Sequence, residues 1–286
     1  MNDDTPIARA AHQAVEIRSG TVVMPRPTTP RVFCVANQKG GVGKTTTTVN
    51  IGVALALGGL SVLVIDLDPQ GNASTALAVE RTVGTPSIYD VLLGEIGIAD
   101  AVQTCPDAPN LQCVPATIDL AGAEIELVAL VARESRLRSA LDLVRGDYDY
   151  VLIDCPPSLG LLTVNAMVAT SELLIPIQCE YYALEGLGQL IRNIDMVRKH
   201  LNPGLNLSTI LLTMYDGRTK LADQVADEVR THFGDAVLDS VIPRSVKVSE
   251  APGFSQSVLT YDPGSRGALS YLDAAREIAQ RGVKES

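Results

Sequence analysis

The sequence predicts an α/β fold, a doubly wound and mostly parallel sheet with helices on both of its faces. Three observations carry that prediction. Seven short β-rich runs alternate with longer helical patterns along the chain. The runs are mostly continuous in hydrophobicity, as strands covered on both faces are. Between the first run and the first helical pattern lies a glycine-rich loop, N-Q-K-G-G-V-G-K-T-T-T-T from Asn37, in the strand-to-helix position where such folds bind phosphates.

Residues 1–30 mix Asp, Ala, Thr and Pro and end in M-P-R-P-T-T-P. They read as a flexible N-terminal tail with one short helical stretch over residues 7–17, and residues 31–286 read as a single domain. The strands are R-V-F-C-V-A, S-V-L-V-I-D, L-Q-C-V-P-A, Y-V-L-I-D, E-L-L-I-P-I, S-T-I-L-L-T and A-V-L-D-S-V-I. The clearest helices fall at residues 44–57, 134–145, 159–169, 184–200, 221–233 and 265–281. Right-handed crossovers then place helices on both faces, and ligands of such sheets bind at the carboxyl ends of the strands.

With 286 residues, 46% of them hydrophobic, the chain can bury a sizeable core. A formal charge of −10 argues against a general polyanion binder, so any nucleic-acid contact has to come from a local patch. Cys34, Cys105, Cys113, Cys155 and Cys179 show no CxxC pair and no metal-type histidine spacing, which suits reduced cytosolic thiols packed as small hydrophobes. The longest apolar run, residues 51–65, is broken by Gly58, Gly59 and Ser61 and is too short to span a bilayer. No basic start followed by an apolar segment opens the chain, so the expected compartment is the cytoplasm.

Gly40, Gly41 and Gly43 let the backbone curl so that successive N–H groups point at phosphate oxygens, and the helix that follows adds its positive end. In that setting Lys44 reaches the β- and γ-phosphates and Thr45 offers its hydroxyl to Mg2+. Two aspartates close apolar runs, Asp66 in V-L-V-I-D and Asp154 in Y-V-L-I-D, and Asp68 lies two residues beyond the first. A carboxylate after a run of Val, Leu and Ile is the Walker B pattern, which holds Mg2+ through water. Two features depart from the usual phosphate loop: Gln38 stands where glycine is expected, and a second lysine, Lys39, sits near its start.

N-Q-K-G-G-V-G-K-T-T-T-T, V-I-D-L-D-P-Q-G-N, V-L-I-D-C-P-P-S, Q-C-E-Y-Y-A-L-E-G, T-M-Y-D-G-R-T and V-I-P-R-S-V-K-V-S-E-A-P together resemble the ParA (Soj-like) chromosome- and plasmid-partition ATPases. These are P-loop NTPases with a deviant Walker A motif, and the similarity runs from Arg31 almost to the C-terminus. The resemblance implies a Mg2+-dependent ATPase that hydrolyses ATP to ADP and phosphate. It implies an ATP-sandwiched homodimer that binds double-stranded DNA without sequence preference, a ParB-type partner that stimulates hydrolysis and release, and a cytoplasmic, nucleoid-associated location.

On the same basis Lys39 is the signature lysine that reaches the phosphates of the partner subunit, which links triphosphate binding to dimerisation. Lys39, Lys44 and Asp68 form the implied catalytic set, with Asp68 positioning the hydrolytic water. The implied nucleotide contacts are Lys39, Gly40, Gly41, Val42, Gly43, Lys44, Thr45, Thr46 at the α-phosphate, Asp154 as the switch aspartate, and Pro243 against adenine. Mg2+ is implied to be held directly by Thr45 and through water by Asp68 and Asp154. Arg244 and Lys247 match the family's DNA-contact region, with Arg218 the next basic candidate, although acids outnumber bases between residues 218 and 266.

Two related groups offer other functions. A MinD-like division-site protein binds membrane through a basic amphipathic C-terminal helix, but Y-L-D-A-A-R-E-I-A-Q-R-G-V-K-E-S carries mixed charge and few bulky apolar residues, so no membrane partner is expected. An iron–sulfur scaffold needs cysteines that bridge the dimer, and Cys155 alone stands near a motif.

Overall fold

In the computed structural model, residues 5–180 and 183–283 are described. Among them eight strands join one sheet: β1 (Arg31–Val35), β2 (Val62–Asp66), β3 (Gln103–Thr104), β4 (Leu111–Val114), β5 (Tyr150–Asp154), β6 (Glu172–Gln178), β7 (Asn206–Tyr215) and β8 (Val237–Pro243). Their order is β3-β4-β2-β5-β1-β6-β7-β8. Only the β3–β4 pair is antiparallel. The seven expected strands all form. β3 has two residues and no apolar run, so it left no signal in the sequence.

The apolar runs are continuous because successive residues feed two different cores. On β1, Val32 and Cys34 pack on one face of the sheet while Phe33 and Val35 pack on the other. On β5, Val151 and Ile153 go one way, and Tyr150 and Leu152 the other. Helices cover both faces, which confirms the doubly wound reading.

Helix Lys44–Leu57 forms over the expected residues, and helices Ala183–His200, Lys220–Phe233 and Arg266–Val283 form within two residues of expectation at either end. The helix expected over 134–145 is confined to Arg136–Leu141, and the one expected from residue 159 starts at Leu161. Helix Leu120–Val128 was not anticipated.

The expectation of a flexible tail over residues 1–30 needs correction for the part described. Helix Pro6–Ser19 is capped by the Thr5 side chain at its start and by left-handed Gly20 at its end. It docks on helix Arg266–Val283: Gln13 Nε2 donates to Asp273 Oδ1 at 2.6 Å, and Arg276 pairs with Glu16 at 2.7 Å. Ile17 near its end and Val22 and Met24 beyond it are buried, and the Met24 amide donates to the Gly58 carbonyl at 3.0 Å. A Cβ on Gly58 would meet Met24 Cγ at 2.6 Å, so this glycine leaves room for the methionine. Composition hid the docking because only three apolar side chains, widely spaced, carry it.

β1 lies between β5 and β6, and the chain winds from it first toward β2 and later toward β7. The crevice at the carboxyl ends of β1, β5 and β6 is therefore the topological switch point.

Candidate nucleotide-binding site

The glycine-rich loop leaves β1 at that crevice and enters helix Lys44–Leu57. Gly41 and Gly43 hold φ of +75° and +91°, a region costly for residues with a Cβ, and Gly43 caps the helix without a side chain. Gly40 is different. Its φ is not left-handed and an added Cβ would meet nothing within 4 Å, so nothing among the described residues requires glycine there.

Two side chains that sequence reasoning missed pin the loop. Asn37 Nδ2 donates to the Pro176 carbonyl at 2.8 Å on β6, while its Oδ1 accepts from the Lys39 amide at 3.0 Å. Thr213 Oγ1, buried on β7, donates to the Val42 carbonyl at 2.8 Å. Val42 itself is buried, and the loop thus rests on β6 and β7 through ordinary hydrogen bonds.

Lys44 is buried, with Nζ 3.4 Å from the Lys39 carbonyl oxygen that accepts from it. Burial lowers its pKa, and the charges of Asp154, Cys155 and Asp68 partly restore it. Asp66 and Asp154 stand opposite each other on β2 and β5, both fully buried. Burial pushes both carboxyls up; the charge of Asp68 adds to the rise at Asp66, and the charges of Asp66 and Asp68 add to the rise at Asp154.

Their partners separate the roles of these two aspartates. Asp66 accepts from the Ser74 amide at 2.8 Å, the Ser74 hydroxyl at 2.7 Å and the Asp68 amide at 3.1 Å. It is occupied in holding the turn after β2. Asp154 accepts from the Thr48 hydroxyl on Oδ1 at 3.0 Å, whereas Oδ2 is buried without a partner. The hydroxyls of Thr45 and Thr48 pull its pKa back down, which places Thr45 beside it. Asp68, also buried, accepts from the Gln70 amide at 3.0 Å.

Lys44, Thr45, Asp68 and Asp154 thus lie close together at the carboxyl end of β5. An orphaned buried carboxylate oxygen among hydroxyl and carboxylate oxygens is a hard-cation donor set, and the residues fit Mg2+. Among the described residues no group of three or more His, Cys, Asp or Glu could hold a metal by itself. A cation held through one or two carboxylates plus phosphate oxygens and water is the usual Mg2+ arrangement.

Beside the loop, Gly43, Thr46, Thr213, Met214, Pro243 and Tyr271 are among the residues lining a cavity of ≈ 190 Å3. Pro243 closes β8 and pairs in register with Tyr215 of β7, so both strand ends reach this cavity. Met214 is held there at a φ of +50°.

Lys39 lies on the open side of the loop, its Nζ 3.4 Å from Glu180 Oε2. Glu180 also accepts from Gln178 and pairs with Arg244 Nη2 at 3.4 Å. Arg218 forms a two-pronged pair with Asp216, at 2.8 Å for each prong, which holds the Asp216 carboxyl down to about 2. The Arg244 amide donates to the Tyr215 carbonyl at 3.1 Å, beside Asp216, so Arg218 and Arg244 lie close together, and the Arg244 charge lowers the Asp216 carboxyl a little further. Lys247 pairs with Glu250 at 3.0 Å and stands 5.5 Å from the Tyr261 ring centre. All three basic candidates therefore carry internal carboxylate partners.

A family model described as an AAA domain (AAA_31) matches residues 30–207. The Bacillus subtilis sporulation initiation inhibitor protein Soj is 51% identical over 252 residues, covering 88% of this chain and 99% of that protein. The Caulobacter vibrioides chromosome partitioning protein ParA is 55% identical over 254 residues, covering 88% and 94%. The chain belongs to the ParA/Soj family of partition ATPases.

Among solved structures, a Mycobacterium smegmatis protein described as cobyrinic acid a,c-diamide synthase, with an ATP analogue and magnesium bound, is 39% identical with a TM-score of 0.77, over 88% of this chain and 96% of that one. The Pyrococcus furiosus cell division ATPase MinD is 27% identical with a TM-score of 0.74, over 88% and 100%. Within this ParA-family chain Cys155 is buried with its Sγ 3.4 Å from Cys34 Sγ, a core packing contact and not a dimer-bridging ligand position. No described helix is long and apolar enough to cross a membrane.

Proposed function

We propose that this partition ATPase requires Mg2+, works as an ATP-sandwiched homodimer that binds double-stranded DNA without sequence preference, and is stimulated by a ParB-type partner. The observation that carries the nucleotide part is Asp154 Oδ2, buried and unpartnered at the mouth of a glycine loop beside Lys44 and Thr45. A bound magnesium ion would supply charge neutralisation for the phosphates. Thr45 would hold it directly, with Asp68 and Asp154 holding it through water.

The loop N–H groups of residues 40–44 bind phosphate oxygens, Lys44 Nζ adds a positive charge to the β- and γ-phosphates, and Thr46 takes the α-phosphate. Pro243 and Met214 give the base apolar walls in the adjoining cavity. Asp68 orients the attacking water, so it affects the transition state more than binding. Lys39 acts in trans: it exchanges Glu180 for the partner's phosphates, which a lysine 37% exposed can do at small cost. The open space around Gly40 supports a close approach of two subunits at the loop.

The DNA surface is Arg244, Lys247 and Arg218. Their carboxylate partners are only partly buried, where solvent keeps ion pairs weak, so duplex phosphates can displace them and release counterions. Dimerisation doubles the patch. The expected location is the cytoplasm, on the nucleoid.

DNA co-sedimentation with ATP, ADP or no nucleotide, in parallel with liposomes, tests this reading. Binding should need ATP and Mg2+, ignore sequence and weaken steeply with salt. Arg244→Glu should abolish it while ATP-dependent dimerisation persists. Nucleotide-independent DNA binding, or liposome binding in its place, would overturn the reading.

A further inference from the structure

The described part of helix Leu120–Val128 has an unusual outward face. Leu120, Ala123 and Leu127 are fully buried, and the opposite side should be polar on a surface helix. Instead Ile125 and Val128 are 80% and 59% exposed, with Ala121 between them on the same face. Ile118, just before the helix, and Val131, just after it, are 59% and 89% exposed and lengthen the apolar strip. A contiguous strip of large apolar side chains in water marks an interaction surface.

The strip has an acidic border. Glu124 and Glu126 flank Ile125, one on each side of the helix. The Tyr89 hydroxyl lies 3.1 Å from both carboxylate oxygens of Glu126 and donates to that carboxylate; desolvation raises the phenol's pKa most, and Glu126, Glu95 and Asp119 add to the rise. Between residues 115 and 135 the acids Asp119, Glu124, Glu126 and Glu134 face one base, Arg133, which is already paired with Glu134 at 2.8 Å. An apolar strip in a negative border is complementary to a short segment with apolar side chains flanked by Lys or Arg.

The same helix touches the segment that follows Asp154. Glu124 reaches helix Leu161–Ala169, whose N-cap, Gly160, has no side chain to cap with. The Glu124 carboxylate lies against Gly160, where a Cβ would meet Oε1 at 1.8 Å, and it accepts from the Leu162 amide at 3.5 Å. A negative charge at a helix start is favourable, and the Thr163 hydroxyl ties that helix back to the Ser158 carbonyl at 2.7 Å. Residues 155–160 then lead straight from Asp154 to the Glu124 contact.

We propose that the outward face of helix Leu120–Val128 is where the ParB-type partner docks, through a short apolar and basic segment, and that Glu124 relays its arrival to the Asp154 switch. This rests on the partner assigned under the proposed function. Docking that displaces the helix moves Glu124 against Gly160 and so reorients the segment carrying Asp154.

The test uses the full chain with ATP, Mg2+ and DNA, and the same organism's ParB-type protein bound to its DNA site. Wild-type ATPase should rise on adding that protein. Ile125→Glu and Val128→Glu should each weaken partner binding at least about tenfold, while basal ATPase, ATP-dependent dimerisation and DNA binding stay unchanged, and Ile125→Leu should behave as wild type. Glu124→Gln should bind the partner with wild-type affinity yet lose most of the stimulation, a split that a merely structural role would not produce. If wild type is stimulated and Ile125→Glu is stimulated equally, the docking surface is wrong while the partition reading stands. If Ile125→Glu loses the ATP-dependent dimer, the strip belongs to a second copy of the chain, which also overturns the proposal. A wild type that does not respond to the partner removes the assigned partner and this inference together.

Discussion

Replacing Glu180 with Gln should tighten DNA binding. One carboxylate serves as counter-ion to both Lys39 and Arg244, at 3.4 Å from each. Lys39 is 37%, Glu180 46% and Arg244 60% exposed, so each pair sits in high dielectric and is long for an ion pair. Pairs of this kind are worth ~0.2–1 kcal/mol, and 1 kcal/mol is about fivefold in affinity. Glu180→Gln keeps the size of the side chain and removes the charge that competes with phosphate. The expected result is a DNA complex tighter by up to about fivefold at ~0.1 M salt and a comparable rise in dimer fraction at subsaturating ATP.

Both gains should shrink as salt rises, because these charges are screened. Co-sedimentation reads the first and light scattering the second. A double-mutant cycle with Arg244→Gln isolates the pair, and a coupling of up to ~1 kcal/mol is expected. Glu180→Gln binding DNA no tighter than wild type at every salt concentration would show that Glu180 does not restrain the basic patch.

Other substitutions probe the loop and the switch. Gly40→Val should leave the monomer and its ATP binding intact, since a Cβ there meets nothing within 4 Å among the described residues, but block the ATP-dependent dimer in light scattering; a normal dimer would refute the close approach. Asp68→Ala should suppress ATP turnover at least about a hundredfold while trapping the ATP-bound dimer, and turnover at the wild-type rate would pass the water-positioning role to Asp154. Thr213→Val keeps the shape of the side chain but orphans the buried Val42 carbonyl, so denaturant unfolding should report a loss of ~1–3 kcal/mol and ATP affinity should fall; unchanged stability would show that β7 does not brace the loop.

Where function was legible in the sequence, the signal was local. The phosphate loop could be read because left-handed backbone at Gly41 and Gly43 demands glycine, and that demand is written in adjacent residues. The strands could be read because a strand covered on both faces must be apolar along its covered stretch, as residues 32–35 of β1 and 151–153 of β5 are. Lys39, Lys44, Thr45, Asp68 and Asp154 were named from short motifs, and four of them do meet at the end of β5.

What only the tertiary structure decided depends on side chains brought together from distant parts of the chain. Asp66 and Asp154 close strands of similar sequence, yet Ser74 and the Asp68 amide satisfy one, while the other keeps a buried oxygen unpartnered. Asn37 and Thr213 brace the loop through strands more than a hundred residues away, and Thr and Asn are so common that neither stands out before folding. Glu180 becomes the shared partner of Lys39 and Arg244 because the carboxyl ends of β1, β6 and β8 face one crevice. Residues 5–30 pack because helix Arg266–Val283 and Gly58 offer surfaces that match three scattered apolar side chains. Composition records which side chains can be buried or charged, and the order of strands in the sheet selects which of them meet.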